Sequence, residues 1–201
     1  MRNYIASACL VAGLFMFASC NSGSNQQEEG AAAGTEAVVA PDSALTEDNK
    51  ELFEYAYSAS MLQSELGKLA AEKGQSANVQ QYGQQMSDLY STKMQELQGL
   101  SQEYSVSVPQ SMKDNHSEML QKLRDTDVNE FDKTYLDEVA DAHKDAIGEF
   151  DSALNSLEET STGTSFSIWA RNTRKEMQAH MEEAMRLGVV LDTDVEAEVR
   201  R

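Results

Sequence analysis

Basic residues are scarce in this sequence: 16 Lys and Arg stand against 34 Asp and Glu, a formal net charge of −18 over 201 residues. A surface of that sign repels phosphate backbones, which argues against nucleic acid as a partner and keeps the folded part off anionic lipid. Proline is nearly missing too; Pro41 and Pro109 are the two, so no proline interrupts a helix from 46 to 108. Beyond Phe17 no apolar run approaches the roughly 20 residues a membrane-spanning helix needs. Neither a nucleophilic triad nor a glycine-rich phosphate loop nor a Cys-x-x-Cys pair is present, so catalysis has no positive support.

What is there begins with Arg2, a short apolar run over 5–17, and then Phe17-Ala18-Ser19-Cys20. The run is too short to span a bilayer, and small residues before a cut site read as a secretory signal peptide. The cysteine directly after Ala-Ser resembles the bacterial lipobox, in which that cysteine is acylated and becomes the first mature residue. The expectation is a signal peptide over 1–19 and a lipidated Cys20. Cys9 would be removed with the signal, leaving one thiol and no internal disulfide despite an oxidising destination. Each buried acyl methylene adds about 0.8 kcal/mol, so two or three chains would anchor the protein to the membrane stably. From 21 to about 44 the sequence is Asn, Ser, Gly, Gln, Glu and Ala without an aromatic residue. It reads as a disordered tether with a mean reach of roughly 25–30 Å. Gln26-Gln27-Glu28-Glu29 reads as polar tether, with a sorting signal as the alternative.

From Thr46 the composition turns to Leu, Ala, Glu, Gln, Lys and Met, all good helix formers. Gly74 followed by Ser76 marks a stop and a new N-cap, and Pro109 suits the start of a helix. Asp127 with Glu130 fits a capping box, Gly163-Thr164 repeats the stop-and-cap pattern, and Gly188 ends the last helix. The spacing predicts helices over 47–73, 77–105, 110–124, 128–160 and 165–187. The four long ones measure about 35–50 Å at 1.5 Å per residue. Short connections make neighbours antiparallel, so the expected fold is an all-α, antiparallel four-helix bundle with a short extra connecting helix. The bundle would occupy 46–188, with a flexible tail over 189–201. Apolar stripes recur at spacing three and four. On the second helix the stripe is Val79, Tyr82, Met86, Tyr90, Met94 and Leu97. On the fourth it is Leu136, Val139, His143, Ile147, Phe150, Leu154 and Leu157. The two align as a weak internal repeat, a match that similarity between amphipathic helices explains nearly as well.

Three polar residues fall on the expected inward faces. Glu65 lies between Leu62 and Leu69, His143 sits within its stripe, and His180 lies between Met177 and Ala184. One polar side chain per helix is how metal sites in helical bundles are built, and imidazole with carboxylate suits iron, manganese or zinc. The plainer reading gives each histidine a hydrogen bond to a core tyrosine or carboxylate. The Glu-x-x-His pairs of di-iron bundles are missing, because position 140 is Ala and position 177 is Met. Met177, Met181 and Met185 around His180, and Met112, His116 and Met119 on the short helix, offer thioether and imidazole for Cu(I). Ordinary core packing by methionine yields the same spacing.

The stretch from Phe53 to Leu187 resembles the exported, ferritin-like bacterial family of unknown function that carries an outer-membrane-protein label. The stretches that carry the resemblance are Ser64 to Ala70, Tyr82 to Met86, Phe131 to Leu136, and His143 and His180. The family pattern has Asp-His on the second and fourth helices; here Leu89-Tyr90 stands in the first place and Ala142-His143 in the second. Arg174-Lys175 replaces a Leu-Pro expected before the final histidine. The resemblance implies the ferritin-like fold, carries over Glu65, His143 and His180, and puts Tyr90 where a potential ligand would be.

The leading expectation is a non-enzymatic lipoprotein of the bacterial envelope, at the outer membrane facing the periplasm, with a helical binding or structural module for a protein partner of unknown identity. The competing expectation is a metal-binding ferritin-like protein, a ferroxidase or metal store, using iron, zinc or copper at Glu65, His143 and His180.

Overall fold

A computed structural model describes residues 45–158 and 165–199; the expected signal peptide, Cys20, the tether and the Gly163-Thr164 stop lie outside the described residues. Five helices follow one another: α1 (Glu47–Lys73), α2 (Ala77–Tyr104), α3 (Asp114–Asp125), α4 (Val128–Glu158) and α5 (Ser165–Val199). No strand occurs among the described residues.

Thr46 caps α1 by accepting from the Asn49 N–H at 3.3 Å. Gly74 closes the helix, its N–H donating to the Ala70 carbonyl. Ser76 then opens α2 by accepting from the Asn78 N–H, so stop and start lie two residues apart. The side chain of Asp132, buried on α4, accepts from the N–H groups of Gln75 and Ser76 at 2.8 and 2.7 Å. A carboxylate there both satisfies amides ahead of α2 and complements the positive end of its dipole.

Each long helix touches two of the other long ones. Tyr57 with Gln98 and Ser64 with Ser91 run α1 and α2 in opposite senses. The pairs Arg174–Asp151 and Lys133–Asp192 do the same for α4 and α5, as Tyr82–His180 and Lys93–Glu176 do for α2 and α5. Gln63–His143 ties α1 to α4, and Gln75–Asp132 ties the connection after α1 to the same helix. The expected stripes supply the core: Val79, Tyr82, Met86, Tyr90 and Leu97 from α2 are buried, as are Leu136, Val139, His143, Ile147 and Phe150 from α4.

Two helix limits differ from expectation. The third helix begins at Asp114, not 110, and Pro109 lies in the connection. Val106, Val108 and Met112 pack against the core from this irregular stretch, and the Lys113 N–H is taken by Ser58 Oγ of α1 at 2.8 Å. Tertiary packing here outweighs a local start signal. The last helix does not stop at Gly188 but continues to Val199, so the stretch expected as a tail is helical up to that residue. Leu187 is buried and Leu191 packs on the core one turn later. That continuation of the apolar stripe outweighs the roughly 1 kcal/mol a mid-helix glycine costs.

Candidate functional site

Three helices bring aromatic rings of mixed chemistry together inside the molecule. Tyr90 (α2) and His143 (α4) are buried, and His180 (α5) is half-buried. Their ring centroids are 5.8 Å apart for Tyr90–His143, 6.0 Å for His143–His180 and 6.4 Å for Tyr90–His180. Gln63 of α1 closes the fourth side.

The hydrogen bonds assign the His143 tautomer. Nδ1 lies 2.7 Å from the Val139 carbonyl oxygen, which can only accept, so Nδ1 carries the proton. Nε2 therefore holds a lone pair, and the Tyr90 hydroxyl donates to it at 2.8 Å. The Gln63 amide nitrogen stands 3.3 Å from Nδ1 while Oε1 has no partner. An N–H cannot donate to an N–H, so the amide is read the other way round, with its oxygen accepting from the ring. Burial, aided by the nearby His180 and opposed by the bond to Val139, pushes His143 down to about 4, so the ring is neutral at ordinary pH. Burial likewise holds Tyr90 far above its ordinary value.

His180 is lowered by burial and by the Lys93 ammonium, against the pull of Glu176. Lys93 is itself buried and bonds Glu176 at 2.8 Å and Glu96 at 3.1 Å. Desolvation pulls its pKa down, but those two carboxylates outweigh it and hold it above the ordinary value. The Tyr82 hydroxyl donates to the His180 carbonyl at 2.9 Å, fixing the turn of α5 that bears the ring.

Glu65 does not join this group. Its side chain is 35% exposed and bonds Lys68 and Arg124. The polar residue of α1 that meets His143 is Gln63, which is buried and shares a face with Ala59, Leu66 and Ala70 at spacing four, three and four. That spacing is present in the sequence itself. Among the described residues no three His, Cys, Asp or Glu side chains are placed to hold a metal ion. A ferritin-type dinuclear centre, which needs several carboxylates, does not fit these residues. The methionine sets do not converge on a soft site either. Met177 is buried while Met185 is 58% exposed, and His116 Nδ1 is bonded to Ser58 Oγ at 2.7 Å.

Two surface features lie apart from the rings. A cleft of about 800 Å³ between α1, α3 and α4 sets Asp48, Glu51, Glu54 and Glu149 around Lys113; it is a solvated acidic face. A shallow groove of about 490 Å³ between α2 and the start of α5 is lined by Gly99, Leu100, Ile168 and Trp169 together with Glu96 and Glu103. Trp169 stacks on Phe166 and donates its indole N–H to Glu96 at 2.8 Å, which holds the indole in place.

The model of a domain of unknown function, DUF4142, matches residues 34–187. The chain belongs to that family. No curated protein and no solved structure matches it. The matched segment takes in all of the ring cluster and the groove, so both are features of the family domain as this chain builds it.

Proposed function

We propose that the chain is a lipid-anchored protein of the bacterial envelope whose helical domain is a binding module without enzymatic activity. On this reading Cys20 is acylated, the protein sits at the outer membrane facing the periplasm, and the tether lets the domain reach a partner. We further read α1, α2, α4 and α5 as a ferritin-like antiparallel four-helix bundle, with α3 as the short extra helix in the connection.

The observation that carries the reading is the groove between α2 and α5. Ile168 is 51% exposed beside Trp169 and Leu100, and exposed apolar groups anchored by a fixed indole are the usual makings of a binding hot spot. Of the acidic residues lining it, Glu96 is already paired with Lys93, and among the described residues Glu103 accepts only from the neutral Ser165 hydroxyl; the whole chain carries −18. The complementary occupant is a partner segment with apolar side chains flanked by Lys or Arg.

Trp169 is the single tryptophan of the chain and reports on the groove directly. The test is a fluorescence titration with two amphipathic peptides, one of Leu and Lys and one of Leu and Glu in the same pattern. The Leu/Lys peptide is expected to shift the Trp169 emission to the blue, with Ile168→Asp abolishing the shift. No shift with either peptide, or equal shifts with both, would overturn the reading.

A further inference from the structure

We propose that Tyr90, His143 and His180 form a mononuclear site for an oxidised transition ion, Fe(III) or Cu(II), held by two imidazole nitrogens and a phenolate oxygen. The site is separate from the groove and stands or falls independently of it. Its basis is the triangle of rings with sides of 5.8, 6.0 and 6.4 Å, drawn from three different helices.

The orientation of His143 is that of a ligand held by an outer partner. Metal-bound histidines typically donate the distal N–H to a backbone carbonyl or carboxylate, which fixes the tautomer and turns the other nitrogen to the ion. Here Nδ1 donates to the Val139 carbonyl at 2.7 Å, and Nε2 is aimed at the Tyr90 oxygen 2.8 Å away. An ion about 2 Å from each of two donors leaves them roughly 3 Å apart when the angle between them is near tetrahedral. The 2.8 Å oxygen–nitrogen edge is therefore close to the edge of such a site, and the His180 ring centroid lies 6.0 Å from that of His143 and 6.4 Å from that of Tyr90. His180 is half-buried, which gives the site a route to solvent, and Tyr82 braces its backbone. The Lys93 charge nearby is matched by Glu96 and Glu176.

Binding is a ligand exchange with no change of oxidation state. The Tyr90 O–H bond breaks, the oxygen takes the ion, and the proton leaves to solvent, one per ion. The same break frees the Nε2 lone pair that the hydroxyl proton had occupied. Imidazole and an anionic oxygen suit iron and copper better than they suit magnesium or calcium.

The experiment loads the chelator-treated protein with one equivalent of Fe(III) or Cu(II), removes free ion by gel filtration, and reads bound metal and the visible spectrum. One ion per chain is expected, with a phenolate-to-metal absorption band. Tyr90→Phe should abolish the band and weaken retention at least ~10-fold, His180→Gln should weaken retention similarly, and Glu65→Gln should change neither. Far-ultraviolet circular dichroism of each variant shows that the helices persist; His180→Gln alters a half-buried position and is the variant least exposed to a folding defect. Three results would overturn the proposal: no retained ion, retention without the band, or retention unchanged in both Tyr90→Phe and His180→Gln.

Discussion

A Cβ atom placed on Gly67 of α1 would lie 2.5 Å from the carbonyl oxygen of Gly83 on α2, and one on Gly83 would lie 2.6 Å from the Ala70 Cβ. The two helices thus meet backbone to backbone. Ser64 adds hydrogen bonds across the same line, to the Ser87 carbonyl and the Ser91 hydroxyl. Contact this close is available only to residues without a side chain, and it sets the spacing on which the rest of the core is built.

Gly67→Ala is therefore expected to destabilise the fold by about 1–3 kcal/mol, even though alanine gains about 1 kcal/mol in helix propensity. The groups in the way are backbone atoms of Gly83 and Ser87, which cannot rotate aside. Gly148→Ala is the matching control. Nothing lies within 4 Å of its added Cβ, so it should stabilise by about 0.5–1 kcal/mol. Urea denaturation of both variants checks the pair; two changes of the same sign would remove the argument.

Asp132→Asn tests the tie between α4 and the α1–α2 connection. The carboxylate accepts one N–H with each oxygen, from Gln75 and from Ser76. An amide keeps one acceptor and turns an N–H₂ toward the other donor. Leaving that donor unpaired and removing the charge should cost about 1–3 kcal/mol, read as a lower thermal midpoint. An unchanged midpoint would mean that the connection holds its shape without Asp132.

The sequence showed most of this architecture because periodicity and helix punctuation act locally. The stripes on α2 and α4 were legible residue by residue, and Gly74 with Ser76 marked a boundary to within a residue. Gly188 misled because a glycine stop is a weak term, and the packing of Leu191 on the core decides the matter. Glu65 misled for a related reason: a shift of 200° around the helix separates it from Gln63, and only the neighbouring helices reveal which of the two faces His143. The Gly67–Gly83 approach left a trace, two glycines inside helix-forming stretches, but its partners are set by register between helices. The Tyr90–His143 pair sits on aligned stripes, which put both residues inside without fixing their hydrogen bond.

The neutral His143 gives stability a defined dependence on pH. Its pKa is about 4 in the folded protein against an ordinary 6.5, so between those values the unfolded chain binds the proton and the folded one does not. Stability is then fully present above about 6.5 and is lost as pH falls toward 4, by roughly 3 kcal/mol for this ring. The groups facing it are Tyr90 from α2, His180 from α5 and the uncharged Gln63 from α1. Burial lowers His116 and His180 as well, which adds to the slope in the same direction. Asp151 and Glu183, held below the ordinary carboxylate range by hydrogen bonds from Arg174 and Arg186, add their own loss at lower pH. Urea midpoints at pH 7.5, 6 and 5 should fall in that order, and His143→Gln should flatten the trend. A slope unchanged by the substitution would place its origin elsewhere.

The anchor proposed at Cys20 is tested by chemistry alone. A bacterial host grown with labelled palmitate should incorporate the label into the full chain, and the protein should sediment with membranes. Cys20→Ser should lose both; among the described residues no helix is long and apolar enough to cross a membrane. The acidic surface, at −18 overall, opposes adsorption to anionic headgroups, so salt should not release the wild-type protein and detergent should. Membrane association that survives Cys20→Ser but yields to salt would instead indicate a peripheral protein held by a charged partner, and the lipoprotein reading would fall.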